Sequence, residues 1–394
     1  MIPSPSSRPL FLLAVLFPPL GVIAPKSLAP LLFVAALWQI VPACINGRWR
    51  DIFKGPVAIM ASLIAIWALT SVLWSLDALA GLLTAAKLTG VLLAMLIVLD
   101  GARSIKAGDR KLFNKAFMVS YVIASALIGF ETLFGAAGHN WVAWLSRRAE
   151  YDLTVLNRAG VILFLAAWPV ALVLWRQRRR LLALLAVLAA AAVIYFGVSS
   201  SNLIALFAGL TGALLAWFLG PRLQYVLALI FAAGILVAPI TTATWLTPER
   251  MAPHVDGAYY SVLHRIHIWH FTGERIAEKP VLGWGIDAAR RIPGGDTKLP
   301  GGGNVMSVHP HNASLQIWLE LGGLGALLAA ILVIALWRIV GALTDPAARA
   351  AATAMLLSAL IVANLSFGIW QTWWMATLTV GAVLWTVALQ VSSK

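Results

Sequence analysis

Long apolar runs follow one another along almost the whole chain, separated by short polar breaks. They lie near 9–24, 28–45, 56–74, 78–100, 116–136, 158–175, 181–198, 203–219, 223–240, 313–337, 351–367 and 368–390. A helix needs roughly 20 mostly apolar residues to cross a bilayer. Hydrocarbon offers backbone groups no partners, so a span must be a helix or part of a closed barrel, and these runs are too long and continuous for barrel strands. The pattern predicts an all-α integral membrane protein with about 12 transmembrane helices and a large helical loop on the outer face between helices nine and ten. Residues 1–240 would hold helices one to nine, 241–312 the loop domain, and 313–394 helices ten to twelve. The first run contains Pro18 and Pro19 and shows no small-residue cleavage site, so it reads as a retained span.

Composition agrees with the pattern. Apolar residues make up 61% of the chain and charged residues 11%, where a soluble domain carries about 25% charged. The formal net charge of +14 raises nucleic acid as a partner. Position excludes it, because no stretch interleaves aromatic and basic side chains as single-strand binding requires. The basic residues cluster in short loops instead. Arg48/Arg50/Lys54, Arg103/Lys106/Arg110/Lys111/Lys115 and Arg176/Arg178/Arg179/Arg180 fall on alternate loops, the distribution that keeps such loops in the cytoplasm. Both termini are then expected there too. Cys44 is the only cysteine, so no intrachain disulfide can form.

The opposite face differs in chemistry. Its loops are short except for 137–157 and 241–312, and it holds all seven histidines: His139, His254, His264, His267, His270, His309 and His311. Within the longer segment, Tyr259, Val262, Leu263, Ile266 and Trp269 recur at helical spacing up to a stop at Lys279-Pro280. They predict an amphipathic helix lying on the membrane or on the bundle. The Gly- and Pro-rich stretch RRIPGGDTKLPGGGN, 290–304, reads as a flexible loop.

Candidate chemistry concentrates in SVHPHNASLQIWLELGGLGALL, residues 307–328. Asn312 is placed to cap the tenth long helix. Gln316 and Glu320 are four apart and share its face, and a carboxylate inside a span is costly unless it meets a polar interior. Gly322, Gly323 and Gly325 are expected to admit a neighbouring helix. His311 can serve as a general acid–base group near neutral pH, with Pro310 turning His309 away from the helix mouth. Glu320, roughly 13 Å further along the axis, suits a supporting role. Arg265 lies on the flank of the amphipathic helix, and Arg147, Arg148 and Arg158 lie in or at the end of the shorter outer loop. Guanidinium binds phosphate through paired hydrogen bonds, so these arginines suit a lipid pyrophosphate. His264, His267 and His270 do not share one helix face, and no carboxylate pair stands beside His309 and His311. No metal site and no cofactor are expected. Lys87, inside the fourth run, is the only hint of the midplane charge that transporters place in broken spans.

HPHNASLQIWLELGGLG resembles the His-Asn, Gln, Glu and Gly-x-x-Gly signature of the O-antigen ligase and polymerase superfamily of bacterial inner-membrane glycosyltransferases. HRIHIWHFTGERIAEKPVLGWG is similar to that family's Arg-x-x-x-Trp and Lys-Pro-x-x-Gly-x-Gly stretch. Asn202 stands where the family often has an arginine, so no role is carried over there. The likeness covers roughly 150–330. It implies metal-free transfer of a glycan from an undecaprenyl pyrophosphate carrier on the periplasmic face of a Gram-negative inner membrane. It also implies that His311 activates the acceptor hydroxyl and that Arg265 helps to hold the pyrophosphate. His309, Asn312 and Gln316, with Arg147, Arg148 and Arg158, complete the candidate substrate-binding set. The first expectation is an O-antigen ligase acting on lipid A–core oligosaccharide, in contact with membrane lipids. A polymerase of the same superfamily comes second and an oligosaccharyltransferase acting on protein third. A flippase or transporter is the alternative from another class.

Overall fold

The computed structural model describes residues 3–390 except 46, 48, 148, 150, 198, 255–259, 300 and 301. In chain order the helices are α1 (Arg8–Ile23), α2 (Leu28–Ile45), α3 (Pro56–Ser71), α4 (Ala78–Arg103), α5 (Ala107–Leu133), α6 (Ala137–Leu145), α7 (Asn157–Arg176) and α8 (Arg180–Tyr195). There follow α9 (Ser200–Leu219), α10 (Pro221–Thr244), α11 (Pro248–Met251), α12 (Tyr260–Glu278), α13 (Ala313–Gly341), α14 (Pro346–Leu365) and α15 (Thr372–Leu389). Ten are long and apolar enough to span a membrane, and α1 and α8 are shorter apolar helices. These match the twelve expected runs, although α5 begins at Ala107, well before the apolar run that marked it, and α8 ends at Tyr195.

Sequence punctuation sets the helix ends. Asp77, Asn312 and Asp345 accept hydrogen bonds from the first-turn amides of α4, α13 and α14, satisfying donors that the helix itself leaves open. Pro56, Pro221 and Pro346 stand in the first turns of α3, α10 and α14, where a missing N–H costs nothing. Gly220, at φ +63°, makes the single-residue turn between α9 and α10.

The spans pack around α7, whose apolar window is 89% buried. It touches α1, α5, α8, α14 and α15. Helices α9 and α14 pack tightly, with no room for a Cβ on Gly209 beside Ser358 Oγ. Small residues bring helices together in this way where no hydrophobic effect drives them. Large apolar side chains point outward around the bundle, among them Leu37, Leu79 and Leu229. Such a belt would be a fault in water and is the ordinary surface towards lipid tails.

Side-chain ties define two opposite faces. On one, Ser4 N–H donates to Asp109, Arg176 pairs with Asp345 at 2.8 Å and donates to the Leu389 carbonyl, and Gln390 Nε2 donates to the Ala102 carbonyl. The basic loops after α4 and α7 therefore share a face with both ends of the described chain. The segment from Trp245 to Asn312 lies on the other face. There it meets the turn after α3 through Ser75 and Asp77, and the turn after α14 through Ser366.

Helix α12 lies on the bundle, against α10 and α13. Gly273 makes the approach possible, because a Cβ there would stand 2.9 Å from Thr242 Oγ1 and 3.0 Å from the Pro239 carbonyl. Its buried face is formed by Ile266, Ile268, Phe271, Thr272 and Ile276. This corrects the expected stripe. Val262 is exposed, Leu263 and Trp269 are half-buried, and Tyr259 lies outside the described residues. The stretch after it is a folded loop. Val305 N–H donates to the Thr297 carbonyl, Met306 N–H to the Gly295 carbonyl, and Lys298 bridges to Asn304.

The expected role of the α13 glycines also needs correction. Gly322 and Gly323 admit a loop, whereas Gly325 faces side chains of its own helix. Gly322 has φ +64° and ψ −166°, which breaks α13 in two. The carbonyls freed by the break are taken up from outside. Trp284 N–H donates to the Leu319 carbonyl at 2.8 Å and Gly285 N–H to that of Glu320 at 2.9 Å. Trp67 Nε1 donates to the Leu321 carbonyl at 2.9 Å. In return Gly323 N–H donates to the Pro280 carbonyl at 2.8 Å. Gly283 and Gly285 are needed at φ +71° and +89°, and a Cβ on either would fall within 2.6 Å of backbone atoms. The Lys-Pro-x-x-Gly-x-Gly segment is thus the clasp that closes the break. Gly322→Ala would set a Cβ 2.2 Å from the Val281 carbonyl oxygen. Backbone strain of this kind costs about 1–3 kcal/mol before the clash is counted. Thermal unfolding in detergent should show a clearly lowered midpoint, and a variant as stable as the parent would contradict the clasp.

Candidate functional site

His311 is held in a left-handed conformation at φ +55°, which non-glycine residues adopt only when their surroundings fix it. Its backbone N–H donates to His309 Nδ1 at 3.1 Å, and Trp269 Nε1 donates to the Pro310 carbonyl at 2.9 Å. Its own Nδ1 lies 2.7 Å from the Ser366 carbonyl. A carbonyl can only accept, so Nδ1 carries the proton of the neutral ring and Nε2 keeps its lone pair. Burial lowers the His311 pKa below 6.5. The Ser366 carbonyl works against that, and the charges of Arg265 and His264 add to the lowering. The ring is therefore neutral at pH 7 and can take a proton from a hydroxyl.

His309 does not turn away from the helix mouth. Its ring lies 4.2 Å from that of His311, and it is the more buried of the two. Gln371 Nε2 stands 3.2 Å from its Nε2, and Gly368 packs so close that a Cβ would lie 2.8 Å from the ring. Burial, followed by the charges of His311 and Arg290, pushes its pKa down to about 3. The proline kink at Pro310 folds the two rings against each other.

Asn312 caps α13, its side-chain oxygen accepting from Leu315 N–H at 3.0 Å. Gln316 is buried with both ends of its amide engaged. Nε2 donates to Glu320 Oε1 at 3.1 Å, and Oε1 accepts from Ile369 N–H at 3.0 Å. Glu320 is fully buried, and its second oxygen accepts from Asp287 N–H and from Trp370 Nε1, both at 2.6 Å. The polar patch is continuous, as its spacing suggested, and it ties three segments together: the α13 mouth, the clasp loop and the turn between α14 and α15.

Arg265, half-buried on α12, acts on the charge of His311. Arg158, at the start of α7, lies over the Trp373 ring at 5.5 Å with its Nε buried and without a partner. Trp373 Nε1 in turn donates to Gln371 Oε1 at 2.7 Å, which connects Arg158 to the wall behind His309. Arg147 is exposed at φ +53° beyond α6, and among the described residues no hydrogen bond or ion pair joins it to the histidine pair. Arg148 lies outside the described residues. Asn202 is buried and donates to the Asn157 carbonyl, next to Arg158. The remaining histidines disperse. His264 meets the Asn304 carbonyl, His270 the Thr242 carbonyl and His139 the Glu131 carboxylate. Among the described residues no three His, Cys, Asp or Glu side chains cluster as metal ligands would. Lys87 acts on the charge of Asp287 in the clasp loop. The break in α13 leaves no row of open carbonyls of the kind that coordinates ions in transporters, since the clasp and Trp67 occupy them.

The turn from Ser366 to Gln371 was missed in the sequence. It supplies the carbonyl to His311, the amide to Gln316, the indole to Glu320 and the wall against His309. The apolar runs 351–367 and 368–390 adjoin without a gap, although two antiparallel spans need a turn of a few residues. The polar residues Asn364, Ser366 and Gln371 were the available signal.

Residues 153–330 match the family model described as O-antigen ligase. Over these residues, a little under half of the chain, the protein is similar to the O-antigen ligase family. It is 26% identical over 325 residues to a Rickettsia conorii protein named "Putative polysaccharide ligase", covering 80% of this chain and 75% of that one. A Rickettsia typhi protein of the same name is 25% identical over 333 residues, 82% of this chain and 79% of its own length. The family is one of glycosyl-transferring enzymes, and the chain is a multi-pass membrane protein of bacterial type. The matched stretch contains Arg158, Arg265, both histidines, Gln316 and Glu320, whereas the 366–371 turn lies beyond it.

With His311 as the base, its lowered pKa would set the pH response. A base must be unprotonated, and His311 gains its proton only below 6.5. The acid limb of kcat/KM for glycosyl transfer should therefore fall below pH 6.5, with a flat profile through pH 7. A limb centred at or above 6.5 would show that another group is the base.

Proposed function

We propose that the protein is an O-antigen ligase. It transfers O-antigen polysaccharide from undecaprenyl pyrophosphate to lipid A–core oligosaccharide at the periplasmic face of a Gram-negative inner membrane. Similarity to the O-antigen ligase family and to the polysaccharide ligase relatives supports a reaction on lipid-linked polysaccharide. The basic loops and both chain ends share the face opposite the site, which supports cytoplasmic termini and a periplasmic site by the positive-inside rule. The observation that carries the mechanism is the His311 Nε2 lone pair, fixed by the Ser366 carbonyl, with the Arg265 cation beside it.

In this reaction the acceptor hydroxyl attacks the anomeric carbon of the sugar attached to the pyrophosphate. Its proton passes to His311 Nε2 as the new glycosidic bond forms. The bond between that carbon and the pyrophosphate oxygen breaks, and undecaprenyl pyrophosphate leaves with the electron pair. The leaving group needs charge stabilisation more than protonation. Arg265, with one or more of Arg158, Arg147 and Arg148, supplies it through paired hydrogen bonds already in place before the charge develops. Asn312 and Gln316 hold the mouth of α13 under the substrate, and His309 fixes the His311 backbone.

A gene deletion read on a lipopolysaccharide gel tests the reading. Loss of a ligase leaves lipid A–core bare while long glycan accumulates on the carrier. Core bearing a single repeat would instead identify a polymerase, and single repeats trapped on the cytoplasmic leaflet a flippase.

A further inference from the structure

Beside the histidine pair the folded outer loop forms a groove of about 650 Å³, within the 300–1,000 Å³ range of small-molecule sites. Ala289–Asp296 form one side, and Asn304 with Met306–Val308 the other. Val308, one of its lining residues, directly precedes His309 in the chain. Its lining joins two arginines, Asp296, Asn304 and Ser307 to glycine and proline backbone. Ala289, Ile292, Met306 and Val308 add apolar surface between these groups, a mixture that suits the C–H faces and the anionic substituent of an oligosaccharide. Arg290 and Arg291 are paired with Asp287 at 3.2 Å and Asp77 at 2.6 Å, yet their side chains remain 54% and 64% exposed. Exposed ion pairs of this kind are weak, so either guanidinium can turn to a phosphate or carboxylate on a ligand.

Each histidine feels the field of a different arginine. Arg265 acts on His311, and Arg290 acts on His309. A transfer between two large glycans needs two approaches to one base, and the first cation is already assigned to the donor pyrophosphate. We propose that the groove between 289–296 and 304–308 is the acceptor subsite, binding a phosphate- or carboxylate-bearing oligosaccharide with its hydroxyl directed at His311. This rests on the ligase reading for the identity of the acceptor.

The test uses Arg290→Gln and Val308→Trp, the second adding bulk at the lining residue that precedes His309. Two measurements are made on the full-length protein: KM for lipid A–core and for donor in a reconstituted transfer assay, and direct binding of delipidated core oligosaccharide. Acceptor KM should rise about tenfold or more in both variants with donor KM unchanged, and oligosaccharide binding should weaken by the same factor. His311→Ala should bind the oligosaccharide like the parent. Transfer with unchanged acceptor KM in both variants would overturn the groove and leave the ligase intact. A rise in donor KM alone would reassign the groove to the donor and overturn the proposal. Groove-dependent oligosaccharide binding by a parent protein that transfers nothing to lipid A–core would keep the subsite and sink the ligase reading.

Discussion

The site depends on one broken helix. A polar break inside a span is tolerated only if every exposed backbone group finds a partner, and here the partners come from the loop that precedes the histidines. Once Trp284 and Gly285 have donated to the carbonyls of Leu319 and Glu320, the clasp segment cannot leave the bundle without stranding them. Asp287 follows immediately and donates its amide to the Glu320 carboxylate. A membrane-buried acidic side chain is thereby used to anchor a loop, which accounts for its presence in so apolar a chain.

The same carboxylate reaches the other wall of the site. Trp370 donates to it, and Gln316 passes the connection to Ile369. The α14–α15 turn then presents the Ser366 carbonyl to His311 and Gly368 to the His309 ring. Two segments far apart in sequence are registered against each other through Gln316 and Glu320, and His311 is clamped between them in a backbone conformation it would not choose by itself. That clamping fixes which ring nitrogen carries the proton. Preorganisation of this kind puts the cost of orienting the base into folding, before substrate arrives.

Much of this was legible in the chain, for definable reasons. The spans could be read because a bilayer demands length and apolarity that little else imitates. Asn312, Gln316 and Glu320 could be read because capping and helical spacing are local. The break at Gly322 could not, since a Gly-x-x-Gly pattern serves helix packing and backbone reversal equally well. His309 was misplaced because Pro310 restricts the chain without saying which way the preceding ring falls. The 366–371 turn lies some fifty residues from the histidines and carries its chemistry partly on backbone atoms, which leave no mark in side-chain identity. The buried stripe of α12 was displaced because the helix packs against α10 at Gly273, where an absent side chain marks the contact.

The central claim is that His311, neutral and held by the turn, removes the proton from the acceptor. The direct measurement is the rate of glycan transfer by His311→Ala in proteoliposomes, with the variant present and folded at the parent's level. Loss of a positioned base lowers such rates by about 10²–10⁴-fold, and a fall of that size is the result the account predicts. A rate within a few-fold of the parent would contradict it.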